Sequence, residues 1–480
     1  MFTDNDINLL EKNFESITND ISAIRSEMFG PTAADIIHTN NIIHSFIKEH
    51  KRKIYGGYAL DLLLKEKNSF LYDNDTIYNT PDIDFYSHEP VKDLIKLCNI
   101  LNDAGFKYVL GKEAKHKDTY TITVNMKHYC DITYVPVNVN NKIPFRVIND
   151  YYVVSPIFMS IDYLRIITDP ITSYWRIKKS VNRYNLLTKY YPLNNILKKK
   201  VQLNDKSICN EYMYSSETKN IPYSIQNSIN DKITNILNNN KSCVSIGLST
   251  IKYFLGQNNI YNSSFDNIFN YVIISTNYEE DVLSFSNILN NMTRSATIKI
   301  EEYRPYFQFT GISTHFKINN VTFLKIYSND NKCIPYQKIT DNRTPPDKYI
   351  QIGTYSLVLK SLLIELMINR TQNNHHLTTT YFKIVDYFVD IRNKYFEINA
   401  KENVFSDSLF KEFSIECVGK TLSPELERKQ LIEYRKKNGK KLTITYEPKD
   451  NRKDPDDDTY YFTNCSGNKI INKQKNTNET

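Results

Sequence analysis

Two stretches of this chain, one near its start and one past its midpoint, follow the same hydrophobic frame. Ser245-Ile246-Gly247-Leu248-Ser249-Thr250-Ile251-Lys252-Tyr253-Phe254-Leu255 lines up with Ile54-Tyr55-Gly56-Gly57-Tyr58-Ala59-Leu60-Asp61-Leu62-Leu63-Leu64. Tyr271-Val272-Ile273-Ile274-Ser275 follows Asp82-Ile83-Asp84-Phe85-Tyr86 to within one position, and Phe323-Leu324-Lys325-Ile326-Tyr327 mirrors Tyr129-Cys130-Asp131-Ile132-Thr133. The spacings nearly agree: Gly57 to Asp82 is 25 residues against 23 from Leu248 to Tyr271, and Asp84 to Asp131 is 47 against 52 from Ile273 to Lys325. Self-similarity of this kind reads as one supersecondary unit used twice, so the fold must hold two copies.

Each copy starts with a short apolar strand and a Gly-containing turn into a helix. An alternating strand, a second helix and a run of strands follow. That order predicts an α/β (α+β) unit with a mixed sheet. In the first copy the strands are expected at Lys53–Tyr55, Asp82–Tyr86, Phe106–Leu110, Tyr120–Asn125 and Tyr129–Tyr134, and the helices at Tyr58–Lys67 and Val91–Ala104. Before them, Thr32 followed by Asp35 predicts a capping box opening a helix with Ile36, Ile37, Ile43, Phe46 and Ile47 on its apolar face. The expected organisation is an N-terminal helical region (1–50), a catalytic domain with a basic helical extension (51–204), a degenerate copy (205–446) and a disordered polar tail (447–480). Residues 205–240, polar and Asn-rich, are expected to include a surface loop.

Composition narrows the class. With 480 residues and 40% hydrophobic residues the chain can bury several cores. The seven cysteines form no C-x-x-C pair, which reads as a reduced compartment without a structural zinc site. No apolar run approaches the ~18 residues of a membrane span, and the first residues do not resemble a signal peptide, so a soluble intracellular protein is expected. A net charge of +7 suits a polyanionic partner.

Three elements of the first copy carry chemistry. Gly56-Gly57, in a chain with only 12 glycines, stands between a strand and a helix start, where backbone N–H groups can approach a phosphate. Asp82 and Asp84 are two apart on a strand and therefore share a face. Unpaired, they repel; a hard divalent cation removes that penalty. Asp131, an acid inside an apolar-aromatic strand, completes a carboxylate triad if its strand lies beside theirs. Three acids can hold two metal ions for in-line phosphoryl transfer. The second copy has lost all three.

The Gly-Gly, Asp-x-Asp and later Asp pattern resembles the signature of polymerase-β-like nucleotidyltransferases. The strings Ile54 to Asp61, Pro81 to Ser87, Asp131 to Pro136, Arg183 to Leu187 and Tyr190-Tyr191-Pro192 are similar to the poly(A) polymerase catalytic subunits of giant viruses, asfarviruses and poxviruses. The resemblance implies Asp82, Asp84 and Asp131 as ligands for Mg²⁺ or Mn²⁺, and Gly56-Gly57 as the triphosphate-contacting turn. ATP and an RNA 3′ end would be the substrates, adenylate addition without a template the activity, and a degenerate second module part of the architecture. It also implies a homodimer or a viral processivity subunit as partner, no membrane association, and a place in the host cytoplasm (the viral factory) and the virion. The motif does not name the base, so another RNA terminal nucleotidyltransferase stays open, as does an inactive RNA-binding scaffold.

Pro170 to Asn204 has no acidic residue and carries Arg176, Lys178, Lys179, Arg183, Lys189, Lys198, Lys199 and Lys200 interleaved with aromatics. Arg176, Lys179 and Arg183 would share a helix face able to meet phosphates. Trp175 is expected in the core, and His375-His376 in a loop. Lys436-Lys437 and Lys440-Lys441 read as a solvated basic run.

Overall fold

The structure is a computed structural model that describes residues 2–72, 80–116, 118–193, 204–256, 263–290, 297–330, 332–340, 348–413, 416–439, 444–449 and 452–453. The chain divides into two compact units, residues 1–155 with 424–480, and residues 156–423. This differs from the boundaries read from sequence: the basic segment after Pro170 belongs to the second unit, and residues 424–446 belong to the first.

In the first unit, α1 (Asp4–Phe29) precedes α2 (Ala33–Glu49). The capping box at the start of α2 is present, with Thr32 Oγ1 accepting from the Asp35 N–H at 3.1 Å and the Asp35 carboxylate accepting from the Thr32 N–H at 3.2 Å. Ile36, Ile43, Phe46 and Ile47 are buried as their spacing requires, whereas Ile37 faces outward. There follow β1 (Lys53–Tyr55), α3 (Gly56–Lys65), β2 (Ile83–Ser87), α4 (Pro90–Asp103), β3 (Val109–Glu113), β4 (Thr119–Val124), β5 (Lys127–Tyr134), α5 (Val137–Asn140), β6 (Phe145–Ile148) and β7 (Tyr151–Val154). The sheet runs β3-β4-β5-β2-β1-β7-β6, with β2/β5 and β1/β7 parallel and the other pairs antiparallel. The helix α4 fully buries Leu94, Leu97 and Leu101, each worth roughly 2 kcal/mol of apolar burial. The late helix Pro424–Lys437 and strand Thr445–Tyr446 return to this unit, the strand pairing with the outer edge of β3. Buried Arg435 holds Glu113 of β3 through two hydrogen bonds of 2.8 Å, a bidentate geometry that fixes the returning segment.

The second unit holds α6 (Pro156–Ile167), α7 (Pro170–Ser173), α8 (Ile177–Tyr190), α9 (Asp205–Ser215), α10 (Tyr223–Asn239), β8 (Cys243–Ser245), α11 (Ile251–Gly256), β9 (Tyr271–Ser275), α12 (Tyr278–Asn290), β10 (Ile298–Tyr303), β11 (Ser313–Ile318), β12 (Val321–Ser328), β13 (Ile334–Ile339), β14 (Ile350–Gly353), α13 (Tyr355–Thr371), α14 (His375–Ile398) and β15 (Cys417–Val418). Its sheet order is β10-β11-β12-β9-β8-β14-β13-β15. Strand for strand this repeats the first sheet, and all six shared pairings keep their direction. The Asn-rich stretch forms α9 and α10, joined by the largely exposed connection 216–222 where a loop was expected; α10 is helical because Ile229, Ile233, Ile236 and Leu237 recur at helical spacing and are buried. His375 and His376 open α14 instead of lying in a loop.

Hydrogen bonds fix the register between the copies. Ser87 Oγ accepts from the Glu89 N–H and Ser275 Oγ from the Asn277 N–H, both at 3.0 Å. The Ser87 carbonyl accepts from the Val135 N–H, and the Ser275 carbonyl from the Asn329 N–H. Ser87 therefore corresponds to Ser275, and six residues on each helix buries an aspartate, Asp93 and Asp281. The sequence alignment of β2 with β9 shifts by one, making Asn270, Val272 and Lys325 the counterparts of Asp82, Asp84 and Asp131.

Cys333 and Cys417 form a disulfide with a Cα separation of 5.4 Å, a departure from the reduced-compartment reading. Antiparallel pairing of β13 with β15 brings them together; no sequence spacing announces it. Among the described residues no helix is long and apolar enough to cross a membrane.

Candidate active site

The centre of the first sheet gathers the three acids. β2 and β5 are parallel neighbours with Asp84 and Asp131 in register, so both side chains leave the same face. Asp82 stands immediately before β2, two residues from Asp84. One ligand atom each from Asp82, His128 and Asp131 lie within 4.8 Å of one another. Gly56 closes the site at the end of β1. Its φ is +74°, and a Cβ there would overlap Asp84 Oδ2 and stand 3.1 Å from Asp84 Cγ. Glycine is required twice, for the left-handed backbone and for the approach of the carboxylate. Gly57 is buried in the first turn of α3, whose N-cap Tyr55 supplies no side-chain hydrogen bond, leaving that turn's N–H groups for another acceptor.

His128 is the site residue that sequence reading missed. Strict alternation along β5 puts it on the face opposite Asp131. The β4/β5 register slips between Ile122 and Thr123, which pair with Cys130 and His128, so Tyr129 is an extra residue. This bulge turns the imidazole onto the carboxylate face. Nε2 lies 2.9 Å from Asp131 Oδ1 and Nδ1 lies 3.7 Å from Asp82 Oδ2. The hydrogen bond to Asp131 raises the His128 pKa; burial opposes this, and the fields of Asp131, Asp82 and Asp84 assist it. For Asp131, burial pushes upward but is outweighed by hydrogen bonds from His128 and Thr121 and by the fields of His128 and His116, so its carboxyl sits below the usual value. His116 is thus close enough for its charge to act on Asp131.

The rest of this face is braced. The Tyr55 hydroxyl shares a 2.7 Å hydrogen bond with Thr133 Oγ1, and the Tyr55 ring stacks on Tyr86 at 4.1 Å and 7°. Lys53 donates to the Asn140 and Ile143 carbonyls, and burial lowers its pKa to about 8.

The donor set fits a divalent cation. Trans ligands of an octahedral ion stand roughly 4 Å apart, so atoms already within 4.8 Å can close on one with sub-ångström shifts. The carboxylates are hard oxygen donors and partly solvent-accessible, Asp82 at 46% and Asp131 at 24% side-chain exposure.

In the second unit the same face has become core. Val272, the counterpart of Asp84, packs in a cluster with Val244, Ile246, Ile274, Tyr327, Ile334 and Leu357. Gly247 still approaches it, as Gly56 approaches Asp84: a Cβ at 247 would lie 2.6 Å from Val272 N. Lys325, in the place of Asp131, forms a buried ion pair of 2.6 Å with Glu365 of α13.

Two family models match this chain. One, described as the poly(A) polymerase catalytic subunit, covers residues 41–173. The other, for the C-terminal part of the APMV poly(A) polymerase catalytic subunit, covers 251–478. A poly(A) polymerase catalytic subunit of Acanthamoeba polyphaga mimivirus is 33% identical over 98% of this chain and 83% of its own length. The chain belongs to the poly(A) polymerase catalytic subunit family. A family member from African swine fever virus (strain Badajoz 1971 Vero-adapted) is 28% identical over 40% of this chain and 38% of its own. The crystal structure of the Megavirus polyadenylate synthase superimposes with a TM-score of 0.78 at 29% identity, covering 98% of this chain and 93% of that one. That match spans both units, the duplicated architecture included.

The basic residues stand in the second unit. Arg176 precedes α8, which carries Lys178, Lys179 and Arg183; the two lysines are exposed and the two arginines half-buried. Tyr174 and Trp175 are 75% and 63% exposed. The only tryptophan therefore faces solvent, contrary to the core placement expected; it sits in the 3₁₀ turn Tyr174–Arg176, which buries none of its residues. Lys198, Lys199, Lys200, Lys440 and Lys441, and nearly all of the tail, lie outside the described residues.

Proposed function

We propose that this chain adds adenylate from ATP to the 3′ end of RNA without a template, releasing pyrophosphate. The bond formed joins the RNA 3′ oxygen to the α-phosphorus; the bond broken joins that phosphorus to the bridging oxygen of the departing pyrophosphate. The observation that carries the reading is the parallel register of Asp84 with Asp131, with Asp82 two residues away, in the one copy whose glycine turn faces a carboxylate. Divalent cations held by Asp82, Asp84 and Asp131, Mg²⁺ or Mn²⁺, would lower the pKa of the 3′-hydroxyl and offset the charge of the triphosphate. The Gly56-Gly57 turn and the first turn of α3 offer backbone N–H groups to the triphosphate. Asp131 would orient the attacking 3′-hydroxyl. Arg176, just before α8, and Lys178, Lys179 and Arg183 on it would contact phosphates of the RNA, with Tyr174 and Trp175 offering exposed rings for base stacking.

An RNA primer incubated with each nucleoside triphosphate separately tests this. Long tails from ATP alone are expected, and equal extension with UTP or CTP would replace the adenylate reading by another terminal transferase. Asp131→Asn should reduce extension by about 10³-fold, corresponding to about 4 kcal/mol of lost transition-state stabilisation, with RNA binding retained. Self-association as a homodimer is part of the proposal; sedimentation as a monomer at micromolar concentration would turn the search to a processivity subunit.

A further inference from the structure

The second copy acts as an internal control for the first. It keeps the bulge: the β11/β12 register slips between Phe316 and Lys317, which pair with Leu324 and Thr322, leaving Phe323 as the extra residue. Thr322 therefore occupies the place of His128. The copy that lost the carboxylates has a backbone that would still turn a side chain onto that face, yet carries no imidazole there. A histidine serving only the strand geometry would not be needed by one bulge and dispensable to the other. His128 is also 38% exposed and lies between two acids, one ring nitrogen toward each, so that one of its nitrogens and one oxygen of each acid fall within 4.8 Å of one another.

We propose that His128 is a direct ligand of the divalent cation held by Asp82 and Asp131, giving the site a mixed oxygen and nitrogen donor set that favours Mn²⁺ over Mg²⁺. The inference rests on the metal reading of the aspartates given above. Mg²⁺ takes oxygen ligands and keeps its waters. An imidazole donor shifts the balance toward first-row transition ions, for which nitrogen is an ordinary ligand. Asp84 stands in register beside Asp131 and against Gly56, on the same face as this donor set.

The test uses the full chain with Mn²⁺ alone, without nucleotide, so that no base nitrogen can contribute. Electron spin-echo envelope modulation of bound Mn²⁺ should show ¹⁴N coupling, absent in His128→Gln. Mn²⁺ affinity should fall at least about tenfold in that variant, and Mg²⁺ affinity, read by competition, should fall less. A thermal melt within a few degrees of wild type establishes that the variant is folded. Bound Mn²⁺ without ¹⁴N coupling in wild type, or the same coupling in His128→Gln, overturns the ligand assignment and leaves the carboxylate site standing. Mn²⁺ binding that is unaffected by Asp82→Asn and Asp131→Asn overturns both.

Discussion

Replacing Gly56 by alanine separates the two demands that the structure places on this residue. The first is conformational. At φ +74° an L residue pays about 1–2 kcal/mol for the left-handed region, which would appear as a modest fall in melting temperature. The second is local. The new Cβ overlaps Asp84 Oδ2 and stands 3.1 Å from its Cγ, and clearing it requires the carboxylate to move by about 1 Å. A misplacement of that size costs about 10²-fold in rate, far beyond what the stability loss explains while the protein remains folded. Gly247→Ala is the matched control: its Cβ meets Val272 N at 2.6 Å and Val272 Cβ at 2.8 Å, so it should destabilise the second unit while touching no carboxylate. Primer extension at saturating ATP, together with thermal melts, gives both readouts. The reasoning is refuted if Gly56→Ala keeps wild-type turnover, or if the two alanines lower extension equally for equal loss of stability.

Two further outcomes follow from buried charges in the second unit. Lys325→Met strands Glu365 without its partner and should cost about 3–5 kcal/mol in denaturant unfolding. The double variant with Glu365→Leu should recover most of that, and a single-variant loss below ~1 kcal/mol would count against a buried pair. Burial raises the carboxyl of Glu412 to about 7, with hydrogen bonding to Ser356 and the charge of Arg392 opposing. Its folded pKa thus lies above its unfolded value near 4.5, so its contribution is full below about 4.5 and lost as pH rises through about 7. Glu412→Gln should flatten that decline in urea unfolding; superimposable pH profiles for variant and wild type would remove the assignment.

Residues close in sequence made most of the first sheet legible. Asp82 and Asp84 share a face because strands alternate, and Thr32 with Asp35 marks a helix start because both partners of the box are present. The pairing of β2 with β5 could be guessed only from the repeat and the family resemblance, since nothing local to Asp131 says which strand lies beside it. His128 was illegible for a definite reason: period-two reasoning assigns it to the wrong face, and only the bulge at Tyr129 reverses that. Hydrogen bonds shifted the alignment of the copies by one residue at β9, where an unbroken apolar run offers no register mark. Ile229 and Ile233 were hidden by their asparagine neighbours. The Cys333–Cys417 and Glu113–Arg435 links join residues far apart in the chain, and pairing over such distances leaves no trace in composition or spacing.

The β3 edge of the first sheet is covered by a strand made only after the whole of the second unit. Because Thr445–Tyr446 lies along β3 and Arg435 anchors to Glu113, a nascent chain must have emerged from the ribosome as far as Tyr446 before that edge is covered. Until then the unpaired backbone of β3 is open to neighbouring chains. Assembly of the carboxylate-bearing unit is thereby coupled to synthesis of the second unit, residues 156–423, and a product terminated before residue 424 should appear in the insoluble fraction.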